Sequence, residues 1–174
     1  MLSPLFWLGL EHYWPFNGTS ADLVGNVGPA IAETNAAFFA GRQGEPDSTA
    51  VRFYNGFYQL PAAVYFAHGE LTVSVWLRPA DIQYFHFFVE FGNSNGSDLV
   101  LLSHSGSGLH TRTTLELDDG EGTSSLLTAD KHLTAYQAWT HVAVTLDAHR
   151  VGRVYLDGVL AGQREEMSTP RAVL

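Results

Sequence analysis

Two segments of the chain alternate apolar and polar residues with a period of two. In "LTVSVWLRP" the apolar residues are Leu71, Val73, Val75 and Leu77, and the residues between them are Thr72, Ser74, Trp76 and Arg78. In "WTHVAVTLD" the alternation recurs with Val142, Val144 and Leu146 on one side. Successive side chains of a strand point to opposite faces, so each segment predicts a half-buried strand.

Turn signals separate further strand candidates. Asp157 and Gly158 lie between two β-rich runs and predict a two-residue hairpin turn. Shorter runs with strand composition are "AVRFY", "FYQL", "YFHFFVEFG", "DLVLLSH" and "HTRTTLEL". Only residues 29–41 have a helix-friendly composition, and they fit a helix or a long loop. The pattern predicts an all-β, antiparallel two-sheet sandwich.

Composition narrows the function classes. A chain of 174 residues suits one domain, which we expect over residues 10–174 after a leader or ragged N-terminus at 1–9. The absence of cysteine excludes disulfides and thiolate sites. A formal net charge of -9 argues against nucleic acid and anionic membranes as partners. The opening "MLSPLFWLGL" is too short to span a bilayer and lacks a basic start, so no membrane insertion is expected.

The order of the motifs resembles a known family. The segments "HYWPFNG", "AVRFYNGFYQLP", "ELTVSVWLRP", "FVEFGN", "AWTHVAVTLD" and "RVYLDGVLAG" follow one another within about residues 10–163. This pattern resembles the laminin-G-like, concanavalin A-like jelly-roll family, which includes pentraxins and many lectin-like domains. The resemblance implies a jelly roll that acts as an extracellular or cell-surface recognition module of a larger protein, binding glycans or protein partners.

The C-terminal end departs from that family pattern. Such domains usually finish with two or more strands beside the first strand, whereas this chain stops at "STPRAVL". We therefore expect the jelly roll to lack its usual last strands and a first strand near 10–16 to lack its neighbour. Either the residues before Leu174 fold back in an unusual way, or the open sheet edge causes self-association.

The stretch "LELDDGE" resembles the acid motif of retaining glucan hydrolases. Such enzymes need two carboxylates roughly 5 to 5.5 Å apart on one strand face. Here Glu116, Asp118 and Glu121 have suitable spacing, but Asp119 and Gly120 form a turn signal between them. The turn is favoured, and no catalytic residues are predicted. A glycoside hydrolase using Glu116 and Glu121 remains the alternative, and a structural interaction domain of a larger protein is a third.

The resemblance implies calcium as the candidate cofactor, because jelly-roll lectins and laminin-G-like domains often bind it, and two predicted loops contain oxygen ligands without basic neighbours. Asn17 and Asp22 form the first candidate site, and Asn93, Asn95 and Asp98 form a weaker second one. Tight turns select the same residue types, so turn chemistry is the competing interpretation. Asn17 and Asn95 also begin glycosylation triplets.

Histidines and clustered aromatic residues complete the candidates. His86, His104 and His110 could meet across neighbouring strands, but we expect solvent-exposed faces for them. Four aromatic residues crowd one predicted strand: Tyr84, Phe85, Phe87 and Phe88. One alternating strand cannot direct all of them inward, so packing between the sheets is expected for most and a binding face for the rest.

Overall fold

The structure of the protein, a computed structural model, consists of strands and loops in the residues that it describes. The described residues are 9–25, 27–32, 35–42, 50–79, 86–92, 99–105, 112–132 and 138–170. These ranges contain no helix and twelve strands: β1 Ile31–Ala32, β2 Ala36–Phe39, β3 Ala50–Phe53, β4 Tyr58–Gln59, β5 Leu71–Leu77, β6 His86–Phe91, β7 Val100–Ser105, β8 Arg112–Asp118, β9 Ser124–His132, β10 Thr140–Leu146, β11 Gly152–Leu156 and β12 Val159–Arg164. The chain divides into two compact units, 1–63 and 64–174.

The first unit contains four short strands in two antiparallel pairs. Strand β2 pairs with β3, and β1 pairs with β4. The expectation of a helix or a long loop for residues 29–41 is therefore wrong. Phe38 and Phe39 are adjacent and lie on opposite faces of β2, where half-buried and exposed positions alternate. This adjacency hides the period of two in the sequence.

No strand is assigned to residues 10–16, so the prediction of a first strand there is also wrong. The Tyr13 carbonyl accepts the backbone N–H of Leu23. The Tyr13 N–H, which a ladder would use, instead donates to the carboxylate of Asp22 at 2.9 Å. Without a strand at residues 10–16, there is no open sheet edge at this position. Self-association of the chain stays a prediction.

The second unit contains a sheet with the order β12-β11-β10-β5. Both alternating segments lie next to each other in it, because β10 pairs with β5 along its length. Val142 and Val144 are fully buried, which confirms the predicted inward face. The hairpin between β11 and β12 is confirmed as well. Asp157 and Gly158 have φ values of 49° and 78°, the positive pair that a type I′ turn requires.

The other sheet has the order β6-β7-β8-β9, again antiparallel. Strands β6, β7 and β8 correspond to predicted runs, whereas β9 was not predicted. Its buried positions are taken by Ser125, Leu127 and Ala129, while Leu126 is exposed. Two small residues on the inner face and a leucine on the outer face remove the apolar alternation that would mark a strand.

One hydrophobic core lies between the two sheets. Its buried members are Leu71, Val100, Leu102, Leu115, Leu117, Leu127, Ala129, Val142, Val144, Leu146, Val154, Leu156, Ala161 and Met167. Residues from both sheets alternate inward to form it, so the predicted two-sheet antiparallel sandwich is confirmed.

Residues 165–170 cover one end of this core. The Met167 side chain is fully buried, and its backbone N–H donates to the Arg150 carbonyl at 3.0 Å. The Ser168 backbone N–H donates to Ser125 Oγ at 2.8 Å, while its own hydroxyl donates to the Thr123 carbonyl. The segment after β12 therefore folds back and contributes a core side chain.

Candidate functional site

The turn between β8 and β9 contains the acidic residues of the hydrolase alternative. Strand β8 ends at Asp118, so Glu121 lies in the turn beyond the strand that carries Glu116. Gly120, with a φ of 72°, provides a backbone conformation in the turn that other residues rarely adopt. The predicted turn is confirmed, and Glu121 does not share a strand face with Glu116.

The turn is stabilised by the carboxylates themselves. Asp119 Oδ1 accepts the backbone N–H groups of Glu121 and Thr123 at 2.9 and 3.0 Å. These two hydrogen bonds hold the pKa of Asp119 below its usual value. Asp118 Oδ1 accepts the backbone N–H of Gly120 at 2.7 Å. Both aspartates therefore act as local acceptors, which is ordinary turn chemistry.

Glu116 lies half-buried on β8 and faces away from the core. Its Oε1 atom accepts a hydrogen bond from the Ser124 hydroxyl at 3.1 Å. A retaining hydrolase would need a second carboxylate opposite it on the same surface. Asp118 shares its strand face, but that side chain is bonded into the turn. The catalytic role of Glu116 and Glu121 stays an alternative hypothesis.

The opening loop, where calcium was predicted, is organised around Asp22. The side chain of Asp22 has no exposed surface. Its Oδ1 atom accepts the backbone N–H groups of Tyr13 and Val24 at 2.9 and 3.0 Å. Its Oδ2 atom lies 2.8 Å from His12 Nδ1. Both carboxylate oxygens thus join chain segments that are about ten residues apart.

These contacts decide the charge state of Asp22. Burial opposes the charged form and would raise the pKa of this carboxyl. The opposing hydrogen bonds come from the backbone of Tyr13, the ring of His12, and the backbone of Val24 and Gly25. Together they outweigh burial and hold the pKa of Asp22 well below its usual range. The carboxylate is therefore charged at neutral pH.

The predicted calcium ligands differ in their surroundings. Asn17 is exposed, whereas Asp22 is enclosed and uses both oxygens internally. A calcium ion bound to Asp22 would have to replace those hydrogen bonds. Asn93, Asn95 and Asp98 lie outside the described residues. No group of three or more His, Asp or Glu side chains within the described ranges is arranged to hold a metal ion.

A shallow depression of about 310 Å³ lies in the second unit, beside the turn after β10. Asp147 lines it, and the Oδ2 atom of this residue accepts a hydrogen bond from Arg153 Nη1 at 2.7 Å. Oδ1 accepts the backbone N–H groups of His149 and Val151, both at 3.0 Å. Hydrogen bonding from Arg153 and then from the backbone holds the pKa of Asp147 below its usual value. This carboxylate is suited to a structural role rather than to proton transfer.

The histidine prediction is wrong for His104. This residue is only 1% exposed and points into the sandwich from β7, between the inner faces of the sheets. Its ring centre lies 5.9 Å from that of Phe88. Val100 and Leu102 precede it on the same face, so strict alternation places His104 inside. Of His86 only the backbone is described, and His110 lies outside the described residues.

The outer face of sheet β12-β11-β10-β5 contains two neighbouring rings, of which Trp76 is exposed and His141 is half-buried. Trp76 and His141 are direct cross-strand neighbours, with ring centres 5.1 Å apart. The Trp76 side chain is 44% exposed. The adjacent row contains Ser74, Ala143 and Tyr155 on β5, β10 and β11. Of this row Ser74 is exposed, whereas Ala143 and Tyr155 are half-buried.

The crowded aromatic residues of β6 divide between the two faces. Phe87 is 60% exposed, whereas Phe88 is half-buried and packs against the core. A shift of register between β6 and β7 lies at this point. Tyr84 and Phe85 lie outside the described residues. The expectation that one strand cannot direct all these rings inward is confirmed for Phe87.

A family model supports the relationship that the fold indicates. The model of the concanavalin A-like lectin/glucanases superfamily matches residues 53–173, which is more than half of the chain. The chain belongs to this superfamily. The match begins and ends later than the range of 10–163 expected from the motifs. No curated protein matches the chain.

Membership of the concanavalin A-like superfamily fits two classes of function without choosing between them. The superfamily contains lectins and glycosidases, so the chain has the fold of a binding module or of a glycosidase. The choice between a binding module and a glycosidase must be argued from the side chains of the candidate site, because one fold can have many functions. None of the described residues forms a helix that is long and apolar enough to cross a membrane.

Sequence reasoning about this superfamily member missed two contacts. The pairing of Trp76 with His141 joins two correctly predicted strands, and the order of strands in the sheet was the missing information. The contact of His12 with Asp22 joins residues in a segment without regular structure. The alternation already placed Trp76 on the outer face, so an exposed tryptophan among polar residues was the available signal.

Proposed function

We propose that this chain is a non-catalytic recognition module that binds a glycan on the outer face of sheet β12-β11-β10-β5. The observation that carries the proposal is the exposed indole of Trp76 beside the ring of His141. Tryptophan combines a large apolar surface with an N–H donor, which suits a surface that binds amphipathic ligands. The C–H face of a sugar ring can stack on such an indole.

The neighbouring side chains favour a sugar over a broad protein partner. Ser74 and Tyr155 supply hydroxyl groups in the row next to Trp76. Ala143 between them is small, so a ligand can approach the backbone of the sheet. Hydroxyl groups beside a ring match the alternation of polar edges and apolar faces in a sugar.

The acidic residues support a non-catalytic role. Asp118, Asp119 and Asp147 accept backbone or arginine hydrogen bonds, and Glu121 lies in a turn beyond β8. A glycoside hydrolase of this fold would need an acid pair held on one surface. The positions and contacts of these four carboxylates therefore favour binding without bond cleavage.

A glycan array tests the proposal with a matched pair of variants. Trp76→Ala removes the exposed ring on the proposed face, and Phe87→Ala removes an exposed ring from the other sheet. We expect wild type and Phe87→Ala to bind the same glycans and Trp76→Ala to lose them. Array binding that survives in Trp76→Ala would overturn the assignment of the face. Absence of any glycan binding by wild type would overturn the ligand class in favour of a structural interaction domain.

The proposal extends to location and calcium. Lectin-like modules of this fold typically act outside the cell or at its surface, so we propose an extracellular or cell-surface location.

Calcium at Asn17 and Asp22 stays a prediction, and it implies a higher melting temperature in millimolar calcium than in a chelator. The difference should disappear in Asn17→Ala. An unchanged melting temperature would leave Asp22 as a structural acceptor alone.

A further inference from the structure

We infer that the first unit contains a separate binding site for a carboxylate-bearing sugar, centred on Arg52. Three side chains form this site, which we call the Arg52 platform: Phe39, Arg52 and Tyr54. It lies on one face of the β2–β3 pair, where Arg52 is level with Ala37 and Phe39 is level with Ala50. The inference goes beyond the proposed function, because it concerns a different surface and a charged ligand.

The two rings hold the guanidinium group in place. The Arg52 guanidinium carbon lies 5.2 Å from the ring centre of Phe39 and 4.5 Å from that of Tyr54. Both distances are within the range of a cation–π contact. The backbone N–H of Tyr54 also donates to the Asn35 carbonyl at 2.8 Å, which fixes one end of the platform. The position of the charge is therefore set before a ligand arrives.

The platform is accessible. Phe39 and Tyr54 are 49% and 54% exposed, and Arg52 is exposed between them. Large apolar side chains of this size usually avoid water when a core is available. Because Phe39 and Tyr54 are exposed beside Arg52, the platform presents both apolar rings and a positive charge to solvent.

The hydrogen-bond donors of Arg52 have no partner among the residues that the structure describes. The guanidinium groups of Arg150, Arg153 and Arg164, in contrast, donate to carbonyl or carboxylate oxygens of the protein. A ring stacks on the flat face of a guanidinium and leaves the donors at its edge available. Those donors match the two oxygens of a carboxylate.

The ligand that fits these features is a sugar with a carboxylate group. One guanidinium matches one carboxylate, and the exposed rings match the apolar C–H faces of the sugar. An acidic peptide has its carboxylates on flexible side chains and offers no apolar ring face to Phe39 and Tyr54, whereas the platform places one cation between two rings. A uronate has its carboxylate directly on the sugar ring, so the carboxylate can reach Arg52 while the ring faces Phe39 or Tyr54.

The experiment uses the whole chain and an oligogalacturonate of defined length as the probe. Its affinity is measured by isothermal titration calorimetry at low salt, beside a neutral galactose oligomer and an oligoglutamate. Arg52→Gln removes the charge of the platform. Arg112→Gln is the matched control, because Arg112 is also exposed and lies on β8, outside the platform. Arg52→Lys keeps the charge and removes the flat, forked donor group.

We expect oligogalacturonate to bind wild type and Arg112→Gln equally, and to bind Arg52→Gln about tenfold more weakly. Arg52→Lys should also weaken binding while its melting temperature stays at the wild-type value. Three results would overturn the inference: no binding of the uronate by wild type, equal losses in Arg52→Gln and Arg112→Gln, or equal Arg52-dependent binding of oligoglutamate. Trp76→Ala separates this site from the proposed function, because it should leave uronate affinity unchanged.

Discussion

Two aspartates of this protein accept similar hydrogen bonds in different surroundings. Asp22 accepts two backbone N–H groups and contacts His12, and its side chain has no exposed surface. Asp119 also accepts two backbone N–H groups, but it does so within an exposed turn. Both carboxyls have a lowered pKa. The bonds are alike, whereas access to water differs.

The difference teaches how burial decides the value of a hydrogen bond. When an exposed acceptor is removed, water can replace it. When a buried acceptor is removed, each donor left without a partner costs about 1–3 kcal/mol. We therefore expect Asp22 to stabilise its unit and Asp119 mainly to direct the chain between β8 and β9. The same turn bonds favour the charged form of Asp119.

Asp22→Ala should have the largest effect on stability. The substitution leaves the backbone N–H groups of Tyr13 and Val24 and the ring of His12 without their acceptor. We expect the free energy of unfolding to fall by about 2–4 kcal/mol. Urea denaturation with amide exchange read at Tyr13 and Val24 measures this. Unchanged exchange at both amides would show that the carboxylate does not hold the loop.

Two glycine substitutions separate close packing from backbone strain. A Cβ on Gly25 would overlap the ring of His12 and the carboxylate of Asp22. Gly25→Ala should therefore cost about 1–3 kcal/mol, in the range of overpacked cores. A Cβ on Gly122 meets no atom within 4 Å, but the φ of 95° is unfavourable for alanine. Gly122→Ala should cost about 1 kcal/mol. Equal losses in urea denaturation would contradict the difference in packing.

The charge of Asp22 predicts a pH dependence. Because its pKa is lowered in the folded state, its contribution is complete above the unfolded pKa of about 4 and is lost as pH falls below that value. Asp22→Asn cannot titrate at this position. The stability difference between wild type and Asp22→Asn should therefore be larger at pH 6 than at pH 3. A constant difference in urea denaturation would contradict a charged Asp22.

Asp119→Ala should have the smallest effect. Its hydrogen bonds to Glu121 and Thr123 are exposed, so water can replace the carboxylate. We expect a smaller fall in melting temperature than for Asp22→Ala, and faster amide exchange limited to the turn. A fall as large as that of Asp22→Ala would show that the exposed turn is a main source of stability.

The sequence predicts elements whose local pattern agrees with their packing. Val73 and Val75 in β5, and Val142 and Val144 in β10, alternate regularly and lie on inner faces. The turn at Asp157 is also predictable, because a two-residue hairpin selects its residues locally. In such segments the propensity and the pattern indicate the same structure.

The parts of the structure that the sequence does not predict depend on contacts between residues that are distant in the chain. In β9 the polar side chain of Ser125 can be buried, because the backbone N–H and the hydroxyl of Ser168 form hydrogen bonds with the Ser125 hydroxyl. His104 is inside although its residue type suggests the surface. The contact of Arg52 with Phe39 depends on the pairing of β2 with β3. None of these partners can be read from a local sequence window.

A reducing-sugar assay with β-glucans tests most directly whether this superfamily member is a binding module. Wild type, Glu116→Gln and Glu121→Gln are incubated with laminarin and lichenan, and Glu165→Gln serves as a control with an exposed carboxylate elsewhere. Because the turn after Asp118 separates the two glutamates, we expect no sugar release by any of the four proteins. Turnover by wild type and Glu165→Gln that disappears in both other variants would contradict the account.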